Sequence, residues 1–84
     1  MLNRERFISA IAGIMRDRVF RTGGNISLNE AIASAKIVNN GDGFVLELRD
    51  ADQDENHWSQ YSNVYLSDEE MNKAIAQARQ GFSA

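Results

Sequence analysis

Apolar residues recur at helical spacing over residues 3–20. Phe7, Ile8, Ile11, Ile14, Met15 and Val19 form one broad stripe, and Asn3 stands where an N-cap belongs. The opposite side carries Arg6, Ala10, Gly13 and Asp17, and the small pair Ala10 and Gly13 invites close approach by another helix. Thr22, Gly23, Gly24 and Asn25 end this helix, because glycine accepts the left-handed conformation that follows a last turn. Ser27-Leu28-Asn29-Glu30 is a capping box and opens a second helix, with Leu28, Ala31, Ile32 and Ala35 as its buried stripe. Asn39-Asn40-Gly41-Asp42-Gly43 reads as a turn.

The period then changes to two. Phe44, Leu46 and Leu48 alternate with Val45, Glu47 and Arg49, which predicts a strand with one core face and one wet face. Trp58 to Leu66 supplies the return strand, with Val64 and Leu66 expected on one side and Tyr61 and Tyr65 on the other. The polar stretch 51–56 becomes the tip of an antiparallel hairpin. Ser67-Asp68-Glu69-Glu70 is a second capping box, and its three carboxylates suit the positive end of a helix dipole. Met71, Ala74, Ile75 and Ala78 form the third stripe, Gly81 the stop, and Phe82 a hydrophobic contact beyond it. The reading is a single α+β domain over residues 1–84, in the order α-α-β-β-α, with the hairpin packed on one face against three helices.

Composition narrows the chemistry. The 84 residues include neither Cys nor Pro, so disulfides, cysteine-based zinc sites and thiolate catalysis are excluded. No apolar run approaches the roughly 18 residues of a membrane span, and Arg4, Glu5, Arg6, Arg16 and Asp17 interrupt the first segment, so the expectation is a cytoplasmic protein with no membrane association. A domain of this size buries only about 60 to 65% of its unfolded surface, so the expectation is that it relies on well-formed helices, a hairpin or a partner chain.

The net charge of −3 conceals an asymmetry. Residues 1–22 set five arginines against two carboxylates, a local charge of +3, whereas residues 42–70 set nine carboxylates against Arg49, a local charge of −8. Such a split implies internal complementarity or two partner-facing surfaces of opposite sign.

Candidate sites follow from that charge map. Asp50-Ala51-Asp52-Gln53-Asp54 has the alternating carboxylates of a calcium loop, but Glu55, His57 and Tyr61 stand where the EF-hand needs Gly, an aliphatic residue and Glu; a different calcium-binding loop stays open as an alternative. Asp50, Asp52, Asp54 and Glu55 also offer a mimic of nucleic-acid phosphates toward a basic partner, such as a nucleic-acid-binding complex. His57 is the single histidine, and no nucleophile-and-acid motif surrounds it. Gly41-Asp42-Gly43 precedes a strand, where a dinucleotide loop would follow one, and Gly23-Gly24 lacks the Lys-Ser/Thr of a P-loop. No cofactor and no metal site is implied. Trp58, Tyr61 and Tyr65 share one strand and would form an aromatic face beside the acidic stretch, of the residue types that dominate binding hot spots.

Two helices followed by a hairpin resemble part of a winged helix-turn-helix. The second helix, however, offers only Asn29, Glu30, Ser34 and Lys36 to a groove. Direct nucleic-acid binding would instead use Arg4, Arg16, Arg18 and Arg21 of the first helix in a dimer, against an overall pI near 5.0. The favoured expectation is a non-enzymatic, small acidic protein-binding module. It would be an accessory or inhibitor protein of the size and composition that phages and mobile elements encode, binding through Asp50, Asp52, Asp54, Glu55, His57, Trp58, Tyr61 and Tyr65. An unpaired strand edge, or the Ala10–Gly13 strip, offers a route to a homodimer.

Overall fold

The computed structural model describes residues 3–49 and 57–82. Three helices, α1 (Arg4–Arg21), α2 (Leu28–Asn40) and α3 (Asp68–Gln80), accompany an antiparallel pair of strands, β1 (Phe44–Arg49) and β2 (Trp58–Val64). The architecture is the expected α+β arrangement in the order α-α-β-β-α. Residues 51–56, expected as the hairpin tip, lie outside the described residues.

Each helix begins where its side chains can satisfy the free amides of the first turn. Asn3 Oδ1 accepts from the Glu5 amide at 3.0 Å. Ser27 with Glu30, and Ser67 with Glu70, close both bonds of a capping box. At the end of α1 the Gly24 amide donates to the Val19 carbonyl and the Gly23 amide to Phe20, with Gly23 at φ 60: a Schellman turn in which the glycine is required by its backbone angle. The end of α3 differs from expectation. Gly81 keeps a helical φ of −63, so left-handed freedom is not its use. A Cβ at Gly81 would collide with the side chain of Arg16, whose Nη1 donates to the Gln77 carbonyl at 3.2 Å.

The core is built on Ile8, Ile11 and Met15 of α1, all fully buried, with Phe7, Ile32, Phe44, Leu46, Val64, Leu66 and Met71 around them. Burying each of the three contributes about 1.5 to 3 kcal/mol. Close helix approach occurs at Ala12, Ala74 and Ala78, which are buried, and not at the expected Ala10–Gly13 strip. Gly13 has no atom within 4 Å of its would-be Cβ, and Ala10 sits at the core's margin. Ile14, expected in the buried stripe, is 37% exposed, because α1 is covered on one side only and Ile14 falls on the far edge of that side.

The return strand ends at Val64, two residues short of the expected Leu66. Phe44 pairs with Val64 and Leu46 with Tyr61, so β2 advances three residues where β1 advances two. Asn63 absorbs the extra residue at φ 55, a conformation asparagine tolerates better than most. Beyond the bulge, Leu66 gives its backbone to a side chain instead of a strand: its amide donates to Asn39 Oδ1 at 2.8 Å, and its carbonyl accepts from Asn39 Nδ2 at 2.9 Å. Asn39 belongs to the last turn of α2, not to a turn cluster.

Candidate functional site

The bulge decides which aromatics face out. Alternation carried unbroken from Val64 would turn Tyr61 to solvent. The additional residue brings it back to the face of Val64, half-buried against the core, with its ring edge-on to Phe7 at 5.4 Å. Tyr61 is therefore a packing residue, which corrects its assignment to an exposed aromatic face. Tyr65 is 45% exposed, but its hydroxyl donates to the Gly41 carbonyl at 3.0 Å. Its ring lies over Gly43, where a Cβ would be 3.0 Å from Cζ, and Gly43 sits at φ 83. Tyr65 thus roofs the α2–β1 turn.

Trp58 remains. It lies opposite Arg49 in the ladder, is 55% exposed, and carries the Arg49 guanidinium 5.2 Å from its ring centre. The same outer face of the hairpin holds Val45, which is 61% exposed, together with Glu47 and Gln60. Sequence reasoning passed over Val45 as one position of a wet face. An aliphatic residue at a solvent parity was the available signal. His57, at the foot of β2, is exposed. Asp50, Asp52, Asp54 and Glu55 lie outside the described residues, between Arg49 and His57.

The four arginines proposed to grip phosphates do not share a face. At about 100° per residue, Arg16 and Arg18 stand about 200° apart around α1, and Arg4 lies about 18 Å from Arg16 along the axis. Three of them are engaged within the fold. Arg4 forms a fork on Glu70 through Nε at 2.8 Å and Nη2 at 2.9 Å, and Nη2 also donates to the Tyr65 carbonyl at 2.6 Å. The hydrogen bond from Arg4, reinforced by the Ser67 amide, holds the Glu70 carboxyl down at about 2 against an ordinary 4.5. Arg16 is bound to the Gln77 carbonyl, and Arg21 pairs with Asp17 one turn away at 2.7 Å. Arg4 and Arg16 thus tie α1 to α3 and to the exit of β2, whereas Arg21 pairs within α1 itself.

A further apolar surface joins α1, α2 and β1. Ile14 separates two hollows: a small one of 100 Å³ bordered by Arg18, Ser34, Val38 and Phe44, and a broad groove of 630 Å³ bordered by Ala10, Arg21, Val45, Glu47 and Gln60. Exposed Phe20 and Phe82 stack at 5.2 Å where the last turns of α1 and α3 meet, so the contact of Phe82 beyond Gly81 is made with α1 and not with its own helix end. Among the described residues no three metal-ligating side chains gather at one point. No helix among them is long and apolar enough to cross a membrane. No protein-family model, curated protein or solved structure matches the chain.

Proposed function

We propose that the chain is a non-enzymatic binding module that docks another protein on the outer face of its hairpin. The observation that carries this reading is the exposed row of Val45, Arg49 and Trp58 on one sheet face, at the mouth of a segment with four carboxylates in six residues. A tryptophan stacked under an arginine is already ordered, so less entropy is lost when a partner covers it, and Trp and Arg head the residue types of hot spots. The carboxylates of 50–55 favour a basic partner. A protein surface that otherwise holds nucleic-acid phosphate is the fitting class, and occupying it would make this chain an accessory or inhibitor of that protein.

Site-specific photo-crosslinking tests the proposal in the cell of origin. A photoreactive side chain at position 58 should yield one discrete protein adduct, whereas the same group at Asn72, exposed on α3, should yield none. Asp52→Asn, Asp54→Asn and Glu55→Gln together should remove the adduct without shifting the thermal melt. Adducts formed from position 72 alone, or an adduct indifferent to the three neutralisations, would overturn the assignment.

A further inference from the structure

The small hollow between α1 and α2 has an apolar floor and a polar lip. Its 100 Å³ is lined by Met15 of α1, Ala31 and Ala35 of α2 and Phe44 at the start of β1, all buried, and exposed Ile14 and Val38 flank its opening. Arg18 stands three residues after Met15 and four after Ile14, so it rises from the same face of α1. Ser34 stands three residues after Ala31 and four before Val38, on the facing side of α2. Both border the hollow, and among the described residues neither side chain makes a hydrogen bond or an ion pair. The other four arginines of α1 are engaged: Arg4 with Glu70, Arg6 with the Arg49 carbonyl, Arg16 with the Gln77 carbonyl and Arg21 with Asp17. Asp17, next to Arg18 in sequence, is thereby taken by Arg21.

We infer that this hollow binds a small aliphatic carboxylate, with its alkyl group on Met15, Ala31, Ala35 and Phe44 and its carboxylate on the Arg18 guanidinium and the Ser34 hydroxyl. Volume limits the body. An apolar cavity of about 150 Å³ holds benzene, so 100 Å³ takes a branch of about four carbons. An apolar lining of this kind stays dry and gains dispersion contacts when a hydrocarbon fills it. Charge selects the head. A guanidinium presents paired N–H donors that match a carboxylate, and a hydroxyl adds another. A cationic ligand would meet Arg18 with like charge, and an uncharged hydrocarbon would leave both lip residues unused. The site lies between α1 and α2, away from the outer face of the hairpin, so it goes beyond the docking proposal and does not rest on it.

An NMR titration of backbone amides with isovalerate, from about 0.1 to 50 mM, tests it, with a dissociation constant expected near about 1 mM. Shifts should centre on Met15, Ala31, Ser34 and Ala35. Along acetate, propionate, butyrate and isovalerate, affinity should rise about fourfold per added carbon, and hexanoate should gain nothing further because the hollow is full. Isovaleramide, of the same shape without the charge, should bind at least about tenfold more weakly. Arg18→Gln should bring isovalerate down to the level of the amide and leave the amide unchanged. Ser34→Leu, whose side chain fills the hollow, should abolish binding of both. Arg18 is exposed and Ser34 half-buried at the lip, and circular dichroism of each variant checks that it is folded. If a variant does not fold, the series of acids on the wild-type chain still decides. Absence of shifts at the highest isovalerate concentration would overturn the inference. So would equal affinity for acid and amide, affinity that keeps climbing to hexanoate, or shifts centred on the hairpin. None of these readings depends on the photo-crosslinking result, so the two proposals fail separately.

Discussion

Asn39→Ala should destabilise the domain far more than Asn40→Ala, although the two residues are neighbours of the same type. The Asn39 amide forms both hydrogen bonds of the Leu66 backbone, at 2.8 and 2.9 Å, and Leu66 is only 5% exposed. Alanine leaves a buried N–H and a buried C=O without partners, each costing about 1 to 3 kcal/mol. Allowing for relaxation and water entry, the expected loss is about 2 to 4 kcal/mol. A domain of this length has a total stability of about 4 to 12 kcal/mol, so the variant should melt roughly 10 to 25 °C lower. Asn39→Asp separates the two bonds: the carboxylate still accepts from the Leu66 amide but faces its carbonyl with no proton to donate, so most of the loss should remain at pH 7. Asn40 is exposed, and its alanine variant should change stability by less than about 0.5 kcal/mol. Urea unfolding followed at 222 nm measures all three. A loss below about 0.5 kcal/mol for Asn39→Ala would show that Leu66 finds other partners and that the clasp does not hold α2 to the strand exit.

Other consequences are read by similar means. The Glu70 carboxyl is held at about 2 in the fold against 4.5 ordinarily, so its stabilising effect is complete above about pH 4.5 and drains away as pH falls toward 2. Arg4 is half exposed, so Arg4→Ala should remove only about 1 kcal/mol at pH 7, and the difference from wild type should shrink below pH 4.5; a difference that grows on acidification would refute the link. Gly81→Ala should destabilise by about 1 kcal/mol by displacing Arg16, yet in an Arg16→Ala background the same change should be neutral or stabilising, because φ −63 suits alanine; equal effects in both backgrounds would exclude the steric account. Gly43→Ala should be worse than Gly81→Ala in any background, since φ 83 and the Tyr65 ring both oppose it, and a variant as stable as wild type would count against the roofed turn.

The helices were legible because their ends are written in short local codes. Ser27–Glu30 and Ser67–Glu70 specify both the start and the bonds that satisfy it, and Gly23-Gly24 specifies a turn that only those backbone angles close. The residues that misled were those whose role depends on distant partners. Asn39 looked like turn material because asparagine favours turns, and nothing local announced that Leu66, 27 residues later, would need its amide. Gly81 looked like a helix stop, although Arg16 is what excludes a side chain there.

The same distinction governs the candidate site. Alternation assigns a strand's faces only as far as the next bulge, and Asn63 reverses every assignment on its N-terminal side relative to Val64. Counting by twos therefore put Tyr61 outside when it packs on Phe7, and credited Tyr65 with a free ring that in fact covers Gly43. Charge was misleading in a related way. Five arginines in one helix look like a surface for phosphate, but a helix distributes them around its axis, and Arg4, Arg16 and Arg21 find acceptors within the fold. Arg49 is different because its neighbour across the ladder is Trp58 and its neighbour along the strand's outer face is Glu47. Among the described residues that arginine is stacked on a ring instead of being tied back to another element by its guanidinium. The proposed docking face therefore rests on the end of the hairpin and not on the helix richest in arginine.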